Sequence, residues 1–218
     1  MSSKFIIIRV LLFVLLVVGT TSVMIAQDND FTTWTKFKVN HKIDSRFAVS
    51  GDLELRTEDD MSAIDRWGIS VGGDYRAFSF LKFEIGYETH YRNLGEIGWK
   101  FRHRYRIGAT ASFRYQWLKM SLRERFQQTF DRGESETRLR SRLKLGYAPQ
   151  KGIVSPYFSI EIYQSLDDAP FWRTARLRYR PGIEIDLTKR WSLDAFYCYQ
   201  YESSRGKHIA GVEVGYSF

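Results

Sequence analysis

The stretch Lys207 to Phe218 reads Lys-His-Ile-Ala-Gly-Val-Glu-Val-Gly-Tyr-Ser-Phe. One set of alternate residues is nearly all apolar: His208, Ala210, Val212, Val214, Tyr216 and Phe218. The other set is mostly polar or small: Lys207, Ile209, Gly211, Glu213, Gly215 and Ser217. Successive side chains of a β-strand point to opposite faces, so this period of two predicts a strand with one apolar and one polar face.

The same kind of segment recurs along the chain, and no segment shows sustained helical periodicity. Strands are predicted near 31–40, 46–58, 64–76, 81–93, 99–113, 117–131, 136–147, 155–166, 172–186, 190–202 and 207–218. Short breaks separate them, alternately tight and acidic or glycine-rich. Long antiparallel strands joined in this way predict an all-β, up-and-down antiparallel barrel.

The first 26 residues have the features of a secretory signal peptide. Lys4 and Arg9 supply positive charge, an apolar run extends from Phe5 to Val18, and Ala26 offers a small residue for cleavage. The run is shorter than the span of about 20 residues that a membrane helix needs. The sequence therefore predicts a signal peptide at 1–26 and one barrel domain at 27–218.

Alternation alone fits either a soluble barrel or a membrane barrel. The leader, the long strands and the aromatic terminal residues Tyr216 and Phe218 favour the membrane, and the two aromatics are predicted to act as an insertion signal. Trp67, Trp99 and Trp191 lie on the apolar face at strand beginnings, where an interfacial aromatic girdle would place them. We therefore predict a transmembrane barrel in the outer membrane of a Gram-negative bacterium, with outer-membrane lipid and the barrel-insertion machinery as partners.

Some residues oppose this assignment. We call the two sets of alternate residues in a strand its polar parity and its apolar parity. Trp117 and Trp172 fall on the polar parity, whereas His103 and Glu124 fall on the apolar one. The strand count is a further difficulty, because eleven segments cannot close with every neighbour antiparallel and bacterial barrels usually have even counts. The expected number is about 12, within a range of 10–12.

Composition excludes several other classes of function. The formal charge is +8, of which Lys4 and Arg9 carry two. The basic residues are spread along strands rather than concentrated in a helix or arm, so no nucleic-acid partner is predicted. Cys198 is the single cysteine, which excludes an internal disulfide. The four histidines are scattered without metal-ligand spacing, so neither a metal nor another cofactor is expected.

Several short motifs, taken in order, resemble the DUF2490 family of outer-membrane barrels found in Bacteroidetes-type and related bacteria. They are Trp34, Glu54-Leu55-Arg56, Gly86-Tyr87, Phe101-Arg102-His103-Arg104-Tyr105, Leu122-Arg123-Glu124-Arg125, Arg138-Leu139-Arg140, Ser155-Pro156-Tyr157 with Glu161, Arg176-Leu177-Arg178, and the terminal strand. The resemblance spans almost the whole mature chain. It implies the barrel fold and the outer-membrane location, and it supplies no activity to carry over.

In a membrane barrel the polar parity lines the lumen, where arginines dominate the middle of the chain. The predicted basic wall consists of Arg102, Arg104, Arg106, Arg123, Arg125, Arg138, Arg140, Arg142, Arg176 and Arg178. The favoured interpretation is that these side chains pair with carboxylates across strands and largely fill a narrow lumen. One alternative is a pore or binding barrel for a small anionic solute, since arginine rings line anion pathways.

A second alternative is a lipid-modifying enzyme on the outer wall, with His103 as the base. No well-placed serine accompanies His103 on its face. The expectation is therefore a barrel without catalytic residues, and the protein is not expected to be an enzyme.

Overall fold

The structure is a computed structural model that describes residues 30–131, 133–147, 149, 152–167, 172–202 and 205–218 of the 218-residue chain. The predicted signal peptide lies outside these residues. The described strands are β1 (Asp30–Lys42), β2 (Phe47–Glu58), β3 (Ala63–Arg76), β4 (Leu81–Asn93), β5 (Trp99–Tyr115), β6 (Leu118–Asp131), β7 (Glu134–Tyr147), β8 (Val154–Ser165), β9 (Arg173–Asp186), β10 (Trp191–Glu202) and β11 (Arg205–Ser217). Each predicted segment matches one of these strands to within two residues at either end.

The eleven strands form one closed barrel in chain order. Neighbours along the chain pair antiparallel, whereas β1 and β11 pair in parallel from Asp30 opposite Lys207 to Asn40 opposite Ser217. A ring with an odd number of strands must contain such a parallel pair if all other neighbours are antiparallel. The predicted all-β barrel is therefore confirmed, and its strand count lies inside the range of 10–12. The parallel seam removes the need for a twelfth strand.

The connections divide into two sets, as the alternating breaks predict. Those after β1, β3, β5, β7 and β9 lie at one end of the barrel with Phe218, which we call the turn end. Those after β2, β4, β6, β8 and β10 lie at the opposite end with Asp30, which we call the loop end. The latter includes the only described helix, a short 3-10 turn at Gly95–Ile97. No helix within the described ranges is long and apolar enough to span a bilayer.

Side-chain oxygens close two of the connections at the turn end. Asp44 Oδ1 accepts hydrogen bonds from the backbone amides of Arg46 and Phe47 at 2.6 and 2.7 Å. These amides hold the pKa of Asp44 below its ordinary value, because they stabilise the carboxylate. Thr188 Oγ1 accepts equivalent bonds from Arg190 and Trp191 after β9. The two turns thus follow from the residue types that satisfy turn amides.

The barrel wall has its polar face inside and its apolar face outside. Ile85 and Ile107 on the outer face are 65% and 58% exposed. Glu161 and Arg178 on the lumen face are only 2% and 5% exposed. Burial is therefore the reverse of the pattern in a soluble protein, where large apolar side chains go inside and unpaired charges stay out.

The two tryptophans that fall on the polar parity lie outside the strands. Trp117 lies in the turn between β5 and β6, and Trp172 precedes β9. Both are outside the two-residue period, and they are 56% and 58% exposed. Parity therefore places no constraint on them.

One small apolar cluster interrupts the polar lumen. Phe196, Cys198 and Ile209 are buried together on β10 and β11, and Trp34 packs against them from β1. Gly211 lies directly opposite Phe196 in the register. The aromatic ring covers this glycine so closely that a Cβ at Gly211 would lie 1.9 Å from the ring carbon Cζ.

We expect Gly211→Ala to lower the free energy of unfolding by about 1–3 kcal/mol, since the ring must leave its position. Phe196→Leu in the same background should recover part of that loss, as measured by urea titration of the barrel in phospholipid vesicles. Gly51→Ala is the matched control, because its Cβ would meet nothing nearer than the Ser70 carbonyl at 3.7 Å. Equal losses in the two alanine variants would show that the ring does not occupy this position.

Candidate functional site

The registers bring all ten arginines of the predicted basic wall into the lumen. Their side chains are between 6% and 23% exposed, and each has a carboxylate within 4.0 Å. Arginines on β5 to β7 and β9 alternate with outward apolar residues, so every second residue of these strands enters the lumen.

The lumen contains a cavity of about 1770 Å³ that we call the vestibule. Its lining includes loop-end residues such as Asp59, Asp60 and Asp167, and it reaches inward to Arg140, Arg180 and Glu213. Six arginines of the basic wall line it: Arg102, Arg104, Arg138, Arg140, Arg176 and Arg178. The other four, Arg106, Arg123, Arg125 and Arg142, are not part of the lining. The vestibule exceeds the range of about 300–1,000 Å³ typical of small-molecule sites, so it has room for a solute and water.

Charge in the vestibule changes sign with depth. We call the loop residues and the first three strand residues at the loop end the rim, and the lining residues further in the floor. The acidic rim residues are Asp30, Asp59, Asp60, Asp65, Asp131, Glu134, Glu136, Asp167 and Glu202, and the basic ones are Arg56, Arg92, Arg205 and Lys207. The basic floor residues are Lys36, Arg66, Arg102, Arg104, Arg138, Arg140, Arg176, Arg178 and Arg180, and the acidic ones are Glu54 and Glu213. The floor is therefore strongly basic.

Ion pairs between rim and floor offset part of this asymmetry. Arg102 contacts Asp131 at 2.7 Å, and Arg176 contacts Glu202 at 2.6 Å. At the strand seam Lys207 contacts Asp30 at 2.5 Å. These pairs fix side chains around the opening, and they leave the deeper arginines with fewer carboxylates.

The densest charge cluster surrounds Glu161 on β8. Arg140 binds both carboxylate oxygens, with its Nη2 at 2.7 and 2.8 Å. Three further arginines approach more loosely, at 3.5 Å for Arg123, 3.7 Å for Arg142 and 3.6 Å for Arg178. Glu161 is the only carboxylate within 4.0 Å of these four arginines among the described residues. We call this set the Glu161 cluster.

Nearer the turn end, further ion pairs join lumen side chains of adjacent or next-neighbour strands. Arg125 Nε lies 2.5 Å from Glu84 Oε1, and Arg180 Nη2 lies 2.8 Å from Asp194 Oδ2. Tyr157 also donates a hydrogen bond to Asp194 at 2.8 Å. Most of these charged groups lie outside the vestibule lining, and we call this region the ion-pair layer.

Aromatic rings support the floor, and sequence reasoning did not identify them as lumen residues. The guanidinium carbons of Arg56 and Arg178 lie 3.8 and 4.6 Å from the ring centroid of Trp34. The Tyr163 hydroxyl accepts a hydrogen bond from Arg178 and donates one to Glu161. The signal was available, because Tyr163 shares its parity with Glu161 in a single strand.

Glu124 and His103, which opposed the membrane assignment in the sequence, both lie on the outer face. Glu124 accepts a hydrogen bond from Ser141 on the adjacent strand at 2.6 Å. His103 lies among aromatic rings, with Tyr105 and Phe130 at centroid distances of 6.1 and 5.4 Å and the Tyr87 hydroxyl 3.4 Å from Nδ1. These contacts explain how both residues are accommodated on an otherwise apolar surface.

The comparison with curated proteins finds no match. Among solved structures, the chain is similar to the translocator domain of the autotransporter NalP from Neisseria meningitidis. The TM-score is 0.46 and the identity is 16%, over 78% of this chain and 73% of that chain. The family resemblance expected from the motifs is confirmed over residues 31–209, which match the family described as "Protein of unknown function (DUF2490)". The chain therefore belongs to the DUF2490 family.

Proposed function

We propose that the protein is an outer-membrane β-barrel that holds a solute in a vestibule and does not conduct it across the membrane. The observation that carries the membrane assignment is the reversed burial of the wall, with aliphatic side chains exposed and charges inside. A closed barrel with an apolar outer surface meets the requirement that every backbone polar group in a bilayer be paired.

Aromatic side chains near both ends support the same assignment. Trp67 and Trp99 lie toward the loop end and are each 46% exposed. Trp117 and Trp191 lie toward the turn end and are 56% and 41% exposed. Two belts of this kind flank the apolar band of membrane barrels. The strands have 12–17 residues, which exceeds the length of about 9–11 needed to cross a bilayer.

The alternation of connections suggests an orientation. Outer-membrane barrels have short periplasmic turns and longer extracellular loops. Length alone does not separate the two ends, because the connections total 20 residues at each end. We propose the orientation from the tight turns after β1 and β9, which side-chain oxygens close, so that the turn end faces the periplasm and the vestibule opens to the outside. Solutes would then enter from the medium through the rim.

The Glu161 cluster and the ion-pair layer support a closed lumen. The vestibule lining ends at Arg140, Arg180 and Glu213, and the charged groups beyond it are paired across strands. Long side chains that bind each other leave little room for a continuous water column in a barrel of this size. A solute-holding barrel fits these contacts better than an open pore.

We propose no catalytic role for the outer face. Tyr and Phe rings surround His103, and no described serine hydroxyl is hydrogen-bonded to it. An acyl-transfer site needs a nucleophile within hydrogen-bond reach of its base.

The test is conductance of purified protein in planar bilayers. We expect no steady channels from the unmutated protein. Replacing Arg104 and Arg140 together with glutamine should lower thermal stability, because each pairs with a lumen carboxylate, Glu88 at 3.3 Å and Glu161 at 2.7 Å. The expected cost is about 1–3 kcal/mol for each buried group left unsatisfied.

The control is the double change of Arg114 and Lys119 to glutamine, two exposed residues near the turn end. It removes the same charge without breaking the lumen pairs, so stability should stay unchanged. Steady anion-selective channels in the unmutated protein, weakened in selectivity by the Arg104 and Arg140 changes, would establish an open anion pore instead.

A further inference from the structure

We infer that the floor of the vestibule binds a small oxyanion with two or more negative charges, of the phosphate or polycarboxylate type. Arg140 and Arg178 would contact the ligand, and Arg123 and Arg142 would add charge beneath it. The inference rests on the proposed function in one respect: it takes the vestibule as the place where a solute is held.

The first step is the strand register, which sets arginines opposite arginines. Arg123 faces Arg142, and Arg125 faces Arg140, across β6 and β7. Like charges directly opposite each other destabilise a sheet. The ladder therefore carries an electrostatic cost that a nearby negative charge would relieve.

The second step is the charge balance around Glu161. This residue faces Arg142 on one side and Arg178 on the other. Four arginines share its single carboxylate, so among the described residues the cluster holds three more positive charges than negative ones. Besides Glu161, Arg178 has only neutral hydrogen-bond partners. They are the Gln200 amide oxygen at 2.8 Å and the Tyr163 hydroxyl. Charges removed from water are costly unless an opposite charge accompanies them.

The third step is the set of unused donors. The Nε atoms of Arg123, Arg140 and Arg142 are buried and make no hydrogen bond. Arg66 and Arg138, which line the floor, have the same unused Nε. Buried donors without partners are uncommon in folded proteins, and the unused Nε atoms of Arg66, Arg138 and Arg140 are available to an acceptor in the vestibule.

The fourth step is access and ligand class. Arg140, Arg178 and Tyr163 line the vestibule, so the cluster is reached from the loop end. The guanidinium group presents paired N–H donors whose spacing matches carboxylate and phosphate oxygens. A ligand with two or more charges would compensate the surplus more completely than chloride, whose single charge leaves most of it unmatched.

The rim fits this ligand because several of its acids are engaged in ion pairs. Asp131, Glu202 and Asp30 form ion pairs with Arg102, Arg176 and Lys207. They present less free negative charge to an incoming anion than their number suggests. The basic floor therefore dominates at the depth where the ligand would be held.

The experiment is isothermal titration of the detergent-purified barrel with sodium pyrophosphate, at an ionic strength kept constant with sodium chloride. We expect saturable binding, weakened at least tenfold by Arg178→Gln and by Arg140→Gln. Arg114→Gln, which removes an exposed charge outside the vestibule lining, should leave affinity unchanged. Arg178→Lys keeps the charge but not the paired donors, so it should bind more weakly than the unmutated protein and more tightly than Arg178→Gln.

Citrate in place of pyrophosphate tests whether carboxylates serve as well as phosphates, and binding of either supports the inference. Absence of saturable binding by both anions, or equal affinity in the unmutated, Arg178→Gln and Arg140→Gln proteins, would overturn it. If a glutamine variant does not fold, the affinity of Arg178→Lys is compared with that of the unmutated protein instead. The titration does not measure conductance. An open pore would therefore contradict the proposed closed lumen but would not change the binding result.

Discussion

Replacing Glu161 with glutamine is expected to lower the free energy of unfolding by about 3–5 kcal/mol, the range for removing one partner of a buried ion pair. The carboxylate is shared by four arginines, and its side chain is only 3% exposed. Glutamine keeps the shape and one acceptor oxygen but removes the only negative charge in the Glu161 cluster. Urea titration of the barrel in phospholipid vesicles at low salt would measure the loss.

The same variant links stability to ligand binding. Without its carboxylate the cluster carries a larger charge surplus, so pyrophosphate should stabilise Glu161→Gln more than it stabilises the unmutated protein. At a concentration about 100 times the dissociation constant, a ligand that binds only the folded state adds about 2.7 kcal/mol. We therefore expect pyrophosphate to restore much of the lost stability, whereas sodium chloride of equal ionic strength should restore little.

Glu184→Gln is the matched control for this change. Glu184 also forms an ion pair, with Lys144 Nζ at 2.5 Å, but its side chain is 41% exposed. Exposed pairs contribute about 0–1 kcal/mol, so the control should lose little stability. Equal losses in the two variants would mean that the four arginines are solvated, and it would remove the basis for the anion site.

The fold was predictable because its signal is local. A two-residue period depends only on which side chains face lipid and which face the lumen, and it is visible in each strand separately. β7 and β9 show it most clearly, with arginines alternating with leucine and tyrosine. The parallel seam was not predictable in this way, because strand pairing between β1 and β11 is a property of the closed ring.

The candidate site was predictable in composition but not in arrangement. Parity alone places the arginines of β5, β6 and β7 in the lumen. It does not show that Arg104 and Arg140 point into an open vestibule while Arg123 and Arg125 lie outside its lining. That division depends on how far each lumen side chain reaches along the wall, such as Arg125 reaching Glu84 from two strands away. The lumen aromatics were missed for a related reason: Phe196 lies on a polar parity because Gly211 leaves space for its ring.

Replacing Phe218 with aspartate should strongly reduce the amount of folded barrel in membranes, because Phe218 lies where the parallel seam ends. Its backbone amide donates a hydrogen bond to the Asn40 carbonyl at 3.0 Å, which extends the ladder between β11 and β1. Its ring lies 4.9 Å from Tyr216 and 5.8 Å from His41, so it joins both seam strands. Parallel pairs are slightly weaker per residue than antiparallel ones, which makes side-chain contacts at the seam more important.

Aspartate at this position removes two ring contacts, each of about 0.5–1.5 kcal/mol, and introduces a charge at the lipid interface. The measurement is the fraction of heat-modifiable, folded barrel in isolated membranes, which should fall because the folding equilibrium constant drops about tenfold for each 1.4 kcal/mol lost. Phe80→Asp is the control: Phe80 lies at the same end, is 55% exposed and stacks on Phe78 at 5.6 Å, but it is remote from the seam. If both variants lose the same fraction, the effect is a general one of the aromatic belt. A loss confined to Phe218→Asp would instead tie insertion to closure of β11 against β1, since only that variant alters contacts between the two strands.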